Sequence, residues 1–431
     1  MEFKQINEVF SDNLIDKQVK VRGWIYRIRV SKKLVFITLR DATGIVQITC
    51  EKEKIGEEPF NNVKKLTIES SIEIKGIVRE DKRSPGGYEL NLDTINIIQE
   101  ADVFPITKDQ SIQFLLDKRH LWLRSQKLMK IFKIRAGLFN AFRNWFNKNN
   151  YMEVHCPILT SSAVEGGSTL FGLKYFDQQA YLTQSSQFYL ESLIFSLEKV
   201  WTIAPSFRAE KSRTTRHLTE FWMLEAEVAH ADLNDIMKIQ EDLVSYVCKE
   251  IAQNFRSELE FLKIDPSEIE KYKAPFPRIT YDKAIELLLE DNVNIEWGVD
   301  LGTEEEKILT DKFDIPVFVT DYPKKAKAFY HHIDPSRPDV VNCADLLAPS
   351  GYGEIIGGGQ RIDSKEILLS RIQEENLDSS DYEWYIDLRK YGSVKHSGFG
   401  LGVERVIRWL LKLENIRDTL PYPRTINRIY P

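Results

Sequence analysis

The chain has 431 residues, 42% of them hydrophobic, which is enough for two or more packed domains. A formal net charge of −6 excludes a protein that coats nucleic acid by bulk charge, though not one with a local basic patch. Cys50, Cys156, Cys248 and Cys343 are scattered without a CxxC pair, which excludes a disulfide framework and a zinc site and leaves reduced thiols as the expectation. The N-terminus lacks a basic start followed by an apolar run, and no stretch is apolar for the ~18 residues a membrane span needs. The expected location is cytoplasmic.

Residues 1–103 read as short strands separated by turn signals. Val19, Val21 and Ile25 alternate with polar or amphipathic residues; LVFITL, IVQITC, SIEIKGIV and YELNLDTINII follow. Five such strands fit a small barrel of the OB type, which binds single-stranded nucleic acid by stacking bases on aromatics beside a cationic groove. Lys17, Lys20, Arg22, Arg27, Arg29, Lys32, Lys33 and Arg40 have no acid among them and form a candidate patch. Phe36 follows the basic loop and is the candidate platform.

ADVFPITKD opens a linker expected over 104–125, ahead of a second domain over 126–431. From Gln126 to Asn147, large apolar residues recur at helical spacing. Further on, FRAEKSRTTRHLTEFWMLEAE, Phe207 to Glu227, sets fixed cations and acids around a Ser/Thr-rich turn. Arg208 and Glu210 are expected to share one face of a strand, Lys211 to Arg216 to form a hairpin loop, and Leu218 to Val228 to return as a second strand. Arginine's planar fork binds phosphate oxygens bidentately, so this segment reads as a polyphosphate site, with an exposed hairpin of solvated charges as the plainer reading. Residues 231–262 are expected to form a helix and 263–330 a less regular insertion. DLLAPSGYGEIIGGGQRI, Asp345 to Ile362, is a second acidic and glycine-rich element flanked by apolar residues, which argues for a buried strand. GFGLG near the C-terminus could pass for a dinucleotide fingerprint, but the RKYGSVKHS ahead of it is too polar for the buried strand such a motif requires.

FRAE, the loop, RH and EFW occur in the order of motif 2 of the class II aminoacyl-tRNA synthetases, most closely their aspartyl and asparaginyl branch. GFGLGVERVIRW resembles motif 3 of that family, and the helix ahead of Pro157 resembles motif 1. The resemblance implies a two-domain α+β fold: an anticodon-binding OB barrel, then an antiparallel catalytic sheet flanked by helices, dimerising through motif 1. It implies attack of an amino acid carboxylate on the α-phosphorus of ATP, then transfer to the terminal ribose of tRNA, with positioning and charge neutralisation carrying the rate. By motif position, Arg208 holds the α-phosphate and Glu210 lies beside the adenine amino group. Arg216 and His217 reach the outer phosphates. Phe221 and Arg405 sandwich adenine, with Ala209, Leu218, Val403 and Glu404 beside them, and Gly400 and Gly402 let the chain pass close to the nucleotide. Asp345 and Glu354 are the expected Mg2+ ligands; Gly357 stands where aspartyl enzymes place a serine that shares the metal. Arg208, Glu354 and Arg405 form the expected catalytic set. In the barrel, Phe36 and Gln47 match positions that stack on and hydrogen-bond the central anticodon base, with Arg27 and Arg29 beside them.

The amino acid pocket is expected to comprise Glu165 and Gln187 for the α-amino group, Arg208 approaching the α-carboxylate, and Leu190, Glu225, Gly357 and Arg361 around the side chain. A substrate carboxylate invites two cations, whereas a carboxamide needs one donor and one acceptor. Where aspartyl relatives have a lysine in a QSPQxYK-like segment, QSSQFYLE has Leu190, and Glu225 would repel a carboxylate. The pattern implies L-asparagine and tRNA(Asn) as substrates. An aspartyl enzyme charging one or both tRNAs, a synthetase-derived asparagine synthetase and a nucleic-acid-binding module without catalysis remain as alternatives.

Overall fold

The computed structural model describes residues 2–161, 169–212 and 214–431. The chain divides into two compact units, 1–115 and 116–431. The expected linker over 104–125 is corrected by this division: helices Ile112–Asp117 and Arg119–Trp122 occupy its second half. In that half, the guanidinium of Arg119 is buried and donates to the carbonyls of Leu420 and Pro421, so these residues belong to the second unit.

In the first unit β1 (Gln18–Val30), β2 (Leu34–Arg40), β3 (Ile45–Glu51), β4 (Ser71–Glu80) and β5 (Tyr88–Gln99) close into a barrel of order β1-β2-β3-β5-β4. The period-2 pattern works as read: Val35, Ile37 and Leu39 of β2 and Val46 and Ile48 of β3 are fully buried. Phe36, Thr38 and Gln47 therefore point outward, while Thr49 on the same face is covered and bonded to Glu89.

In the second unit β6 (Met152–Glu153) and, later in the chain, β10 (Lys199–Phe207), β11 (Glu220–Ala229), β12 (Arg278–Thr280), β13 (Val317–Pro323), β14 (Ile333–Asp334), β15 (Arg337–Ala348), β16 (Gly353–Gln360) and β17 (His396–Gly402) form one sheet. Its order is β12-β13-β15-β16-β17-β11-β10-β6, with β14 paired to β15. The centre is antiparallel, and only the outer pairs β12/β13 and β10/β6 are parallel. A small separate sheet joins β7 (Leu159–Thr160), β9 (Gln178–Leu182) and β8 (Gly172–Tyr175).

Helices Gln126–Lys148 and Leu233–Asn254 cover one face of the large sheet. Ser125 caps the first of them, and its apolar stripe is spent on the molecule's own core, where Phe146 stacks on Trp201 at 4.3 Å. The apolar side chains left exposed just after it are Met152, Ile158 and Leu159.

Two further expectations are corrected. The single helix over 231–262 is two, Leu233–Asn254 and Arg256–Phe261, separated at Phe255. Residues 263–330 are no irregular insertion: they supply β12 and β13, and Val317, Phe318 and Val319 are fully buried. The sheet would end at β15 without them.

Candidate active site

The face of the sheet opposite the two long helices carries two adjoining cavities. Strand alternation decides what enters them: along β11, Phe221, Met223 and Glu225 face the cavities and Leu224, Ala226 and Val228 face the core. Register then lines up a row across four strands, with Asp345 opposite Gly357, Gly357 opposite Gly400, and Gly400 opposite Glu225. Two glycines make the floor and two acids the walls. A floor without side chains lets a ligand approach the backbone closely.

The first cavity is lined by Arg208, Glu210, Arg216, His217, Leu218, Phe221, Glu354, Gly400, Gly402, Glu404 and Arg405, so most of the expected nucleotide residues meet there. Arg208 Cζ lies 5.6 Å from the Phe221 ring centroid, and Arg405 Nη1 donates to Glu354 Oε2 at 2.8 Å. Arg208 and Glu210 do not share a strand, however: β10 ends at Phe207, and both residues begin the loop. The return strand likewise starts at Glu220 rather than Leu218. Three of the residues expected beside the nucleotide also serve the protein's own structure. Val403 is buried in the core, and the Ala209 N–H donates to the Thr169 carbonyl at 2.7 Å. Glu404, though on the cavity wall, ion-pairs with Arg135 at 2.7 Å and accepts the Trp222 N–H at 2.9 Å. Its carboxylate is a structural tie between helix and sheet. His217 Nδ1 contacts the hydroxyls of Ser212 (3.0 Å) and Thr214. Burial, reinforced by Arg405, Arg216 and Arg208, lowers His217 to about 4.

The second cavity is lined by Gln187, Leu190, Arg208, Glu225, Glu227, Lys327, Asp345, Glu354, Gly357 and Arg361 among others. Arg208, Met223, Glu354 and Gly400 line both cavities and so mark their junction. Glu225 accepts from the Ser186 N–H at 2.8 Å and from the Ser185 hydroxyl. Gln187 Nε2 donates to Glu191 at 3.0 Å. The fork of Arg361 is held by Glu227 at 2.9 and 3.2 Å, with both side chains nearly inaccessible to solvent. This pair keeps the guanidinium charged and fixed in direction. Behind it Glu191 accepts from Arg389 (2.5 Å), Tyr385 (2.8 Å) and His396 (3.0 Å). Glu165 lies outside the described residues.

Several site residues carry no signal in the sequence. At position 190 the second cation is indeed absent, but Lys327 lines the same cavity. Its ammonium pairs with Asp345 at 2.7 Å and Asp300 at 3.4 Å, and it lies 3.9 Å from the centroid of the Tyr322 ring. Glu306 grips Arg216 at 2.5 and 3.1 Å. Lys327, Asp300 and Glu306 come from the segment read as an insertion, where KKAK and TEEE look like solvated charge runs. Glu227 lay within the quoted motif but carried no expectation.

Asp345 and Glu354 present their carboxylates to one point: a Cβ at Gly357 would lie 3.1 Å from Glu354 Oε1 and 3.4 Å from Asp345 Oδ1. Two hard oxygen donors converging beside an anion-binding cavity fit Mg2+. Burial would raise Glu354, but Arg405 and then Lys327 bring it down to about 2. Asp345 is pushed up to about 6 by burial against the pull of Lys327.

In the barrel, Arg29 Cζ stands 5.7 Å from the Phe36 ring centroid, its cross-strand neighbour. Gln47 Nε2 donates to Ser84 (3.0 Å) and Glu89 (3.1 Å). Arg40 leaves the expected basic patch, being nearly buried and ion-paired to Glu69 at 2.9 Å.

The family described as tRNA synthetases class II (D, K and N) matches residues 111–426, and the OB-fold nucleic acid binding domain matches residues 19–98. The chain is 55% identical to the asparagine–tRNA ligase of Thermococcus gammatolerans, covering 96% of each, and 50% identical to that of Thermoplasma acidophilum, covering 99% of each. It superposes on the crystal structure of asparaginyl-tRNA synthetase from Pyrococcus horikoshii complexed with asparaginyl-adenylate with a TM-score of 0.97 at 51% identity, covering 100% of both chains. For the Entamoeba histolytica asparaginyl-tRNA synthetase in complex with asparaginyl-adenylate the TM-score is 0.91 at 34% identity, with 100% of this chain and 99% of that one covered.

Proposed function

The chain belongs to the class II tRNA synthetases, and from that premise we propose that it is an asparagine–tRNA ligase, joining L-asparagine to tRNA(Asn) at the expense of ATP. The observation that carries this reading is the position of Arg208 at the junction of the two cavities. A cation there neutralises charge developing on an α-phosphate and draws in the carboxylate that attacks it. Arg216 and His217 meet the outer phosphates, and Phe221 and Arg405 enclose the adenine ring. Asp345 and Glu354 would hold Mg2+, which supplies charge neutralisation on the phosphates when bound. No side chain need act as a nucleophile.

Selection follows from charge already spent. Arg361 is committed to Glu227 and Lys327 to Asp345 and Asp300, so the two cations beyond the junction residue Arg208 are matched by the cavity's own acids. A substrate carboxylate would bring an uncompensated charge against Glu225, whereas a carboxamide can accept from Arg361 and donate to an acid. Leu190, fully buried with Ile194 and Val200, supplies an apolar wall. Pairing of two copies beside the helix Gln126–Lys148, through the exposed Met152, Ile158 and Leu159, is part of the proposal.

Replacing Leu190 with lysine should lower asparagine-dependent ATP–pyrophosphate exchange about tenfold or more, because a new cation there pairs with Glu225 and takes the acceptor the carboxamide needs. Leu190→Met controls for packing and should retain most activity. Unchanged exchange by the lysine variant would refute this account of the pocket.

A further inference from the structure

Glu306 sits in the helix Thr303–Thr310 and is 5% exposed. Its carboxylate has two tasks. Oε2 accepts from Arg216 Nη1 at 2.5 Å and from the backbone N–H of Glu354 at 2.7 Å, while Oε1 accepts from Arg216 Nη2 at 3.1 Å. One side chain thus ties the tip of the hairpin loop to the strand that carries the metal-binding acid.

The surrounding chain makes room for this tie. Gly353 has φ +73°, and a Cβ there would stand 2.3 Å from Glu306 Oε2 and 2.8 Å from Arg216 Nη1. Glu306 occupies the end of the arginine fork. The Nε–H on its side edge is buried without a hydrogen-bond partner, although Arg216 lines the nucleotide cavity. A guanidinium held by a carboxylate at one edge can still offer another to a phosphate, and it no longer has to be ordered when the anion arrives.

We propose that Glu306 is a positioning residue for the polyphosphate, holding Arg216 in its receiving orientation and coupling the loop to Glu354. This rests on the reading of Arg216 as an outer-phosphate contact. Glu306 touches no reacting atom; it acts through Arg216.

The full-length enzyme tests this by ATP–pyrophosphate exchange with E306Q and E306D. E306Q should raise the KM for ATP and for pyrophosphate about tenfold or more while leaving the KM for asparagine within about twofold, and E306D should recover part of the loss. A merely structural role would move all three constants together. In a background lacking the guanidinium, R216A, adding E306Q should cost less than about twofold in the KM for ATP. If E306Q does not fold, E306D alone should show a smaller rise confined to ATP and pyrophosphate. An unchanged or lower KM for ATP, or an equal cost with Arg216 removed, overturns the proposal. Wild-type exchange with neither asparagine nor aspartate would remove the functional reading beneath it, and the proposal with it.

Discussion

The imidazole of His217 lies half-buried among the guanidinium groups of Arg208, Arg216 and Arg405, and this fixes its protonation. Burial and those cations lower it from 6.5 to about 4, so with the cavity free of ligand it is neutral at physiological pH. Because the folded value lies below the unfolded one, the unfolded chain binds the extra proton between them. Stability should therefore fall as pH drops through that window. His331 is lowered too, by burial and then by Arg361, and adds to the same acid loss. His217→Gln should remove about 1–2 kcal/mol of the stability lost between pH 6.5 and 4, the full shift being discounted for partial exposure. Denaturant melts of both proteins across that range would show it, and parallel stability–pH curves would contradict it. At this scale, residue type carried the legible signal. Arg208, Arg216, Glu354 and Arg405 were legible because they stand at motif positions shared with the class II synthetases and are of the types that phosphate and metal chemistry use. Lys327 and Glu306 were not, since a charged residue on a helix or in a lysine-rich turn is usually solvated, and only the fold buries Glu306 and half-buries Lys327.

At the scale of elements, alternation does most of the work. It turns one β11 segment into a core face of Leu224, Ala226 and Val228 and a cavity face of Phe221, Met223 and Glu225. The same rule sets Phe36 outward on the barrel beside Arg29, with Gln47 two residue pairs along the β2/β3 ladder. Stacking of a base on an aromatic contributes about 1–3 kcal/mol, so Phe36→Ala should weaken tRNA(Asn) binding roughly tenfold or more at fixed salt. The slope of affinity against salt should not change, since no phosphate contact is lost. Filter binding over a salt series would decide; unchanged affinity would withdraw the anticodon assignment. The barrel strands were readable because their period is clean. The end of β10 was not: Arg208 to Glu210 continue the strand's composition, and the Arg208 N–H still donates to Thr219 in register, but the Thr219 N–H turns to Arg424 and the Ala209 N–H to Thr169, and the ladder ends there.

For the whole molecule, the active site is a product of sheet order. β15, β16, β17 and β11 are distant in sequence, yet adjacency in the sheet puts Asp345, Gly357, Gly400 and Glu225 in one row. Motifs near 208, 354 and 405 announced the nucleotide half of that site. The other half depends on residues 263–330, whose short strands give little periodic signal but complete the sheet and deliver Asp300 and Lys327; the same segment sets Glu306 against Arg216 in the nucleotide half. The consequence is a pocket in which Arg361 and Lys327 are balanced by its own acids while Arg208 stays at the junction, and the central claim is that this balance around the side chain admits a carboxamide and rejects a carboxylate. ATP–pyrophosphate exchange with asparagine and aspartate in parallel, with magnesium and without tRNA, tests it most directly. The account predicts exchange with asparagine and a rate lower on the order of a thousandfold or more with aspartate, because an unpaired buried carboxylate costs several kcal/mol. Comparable exchange with aspartate would contradict it.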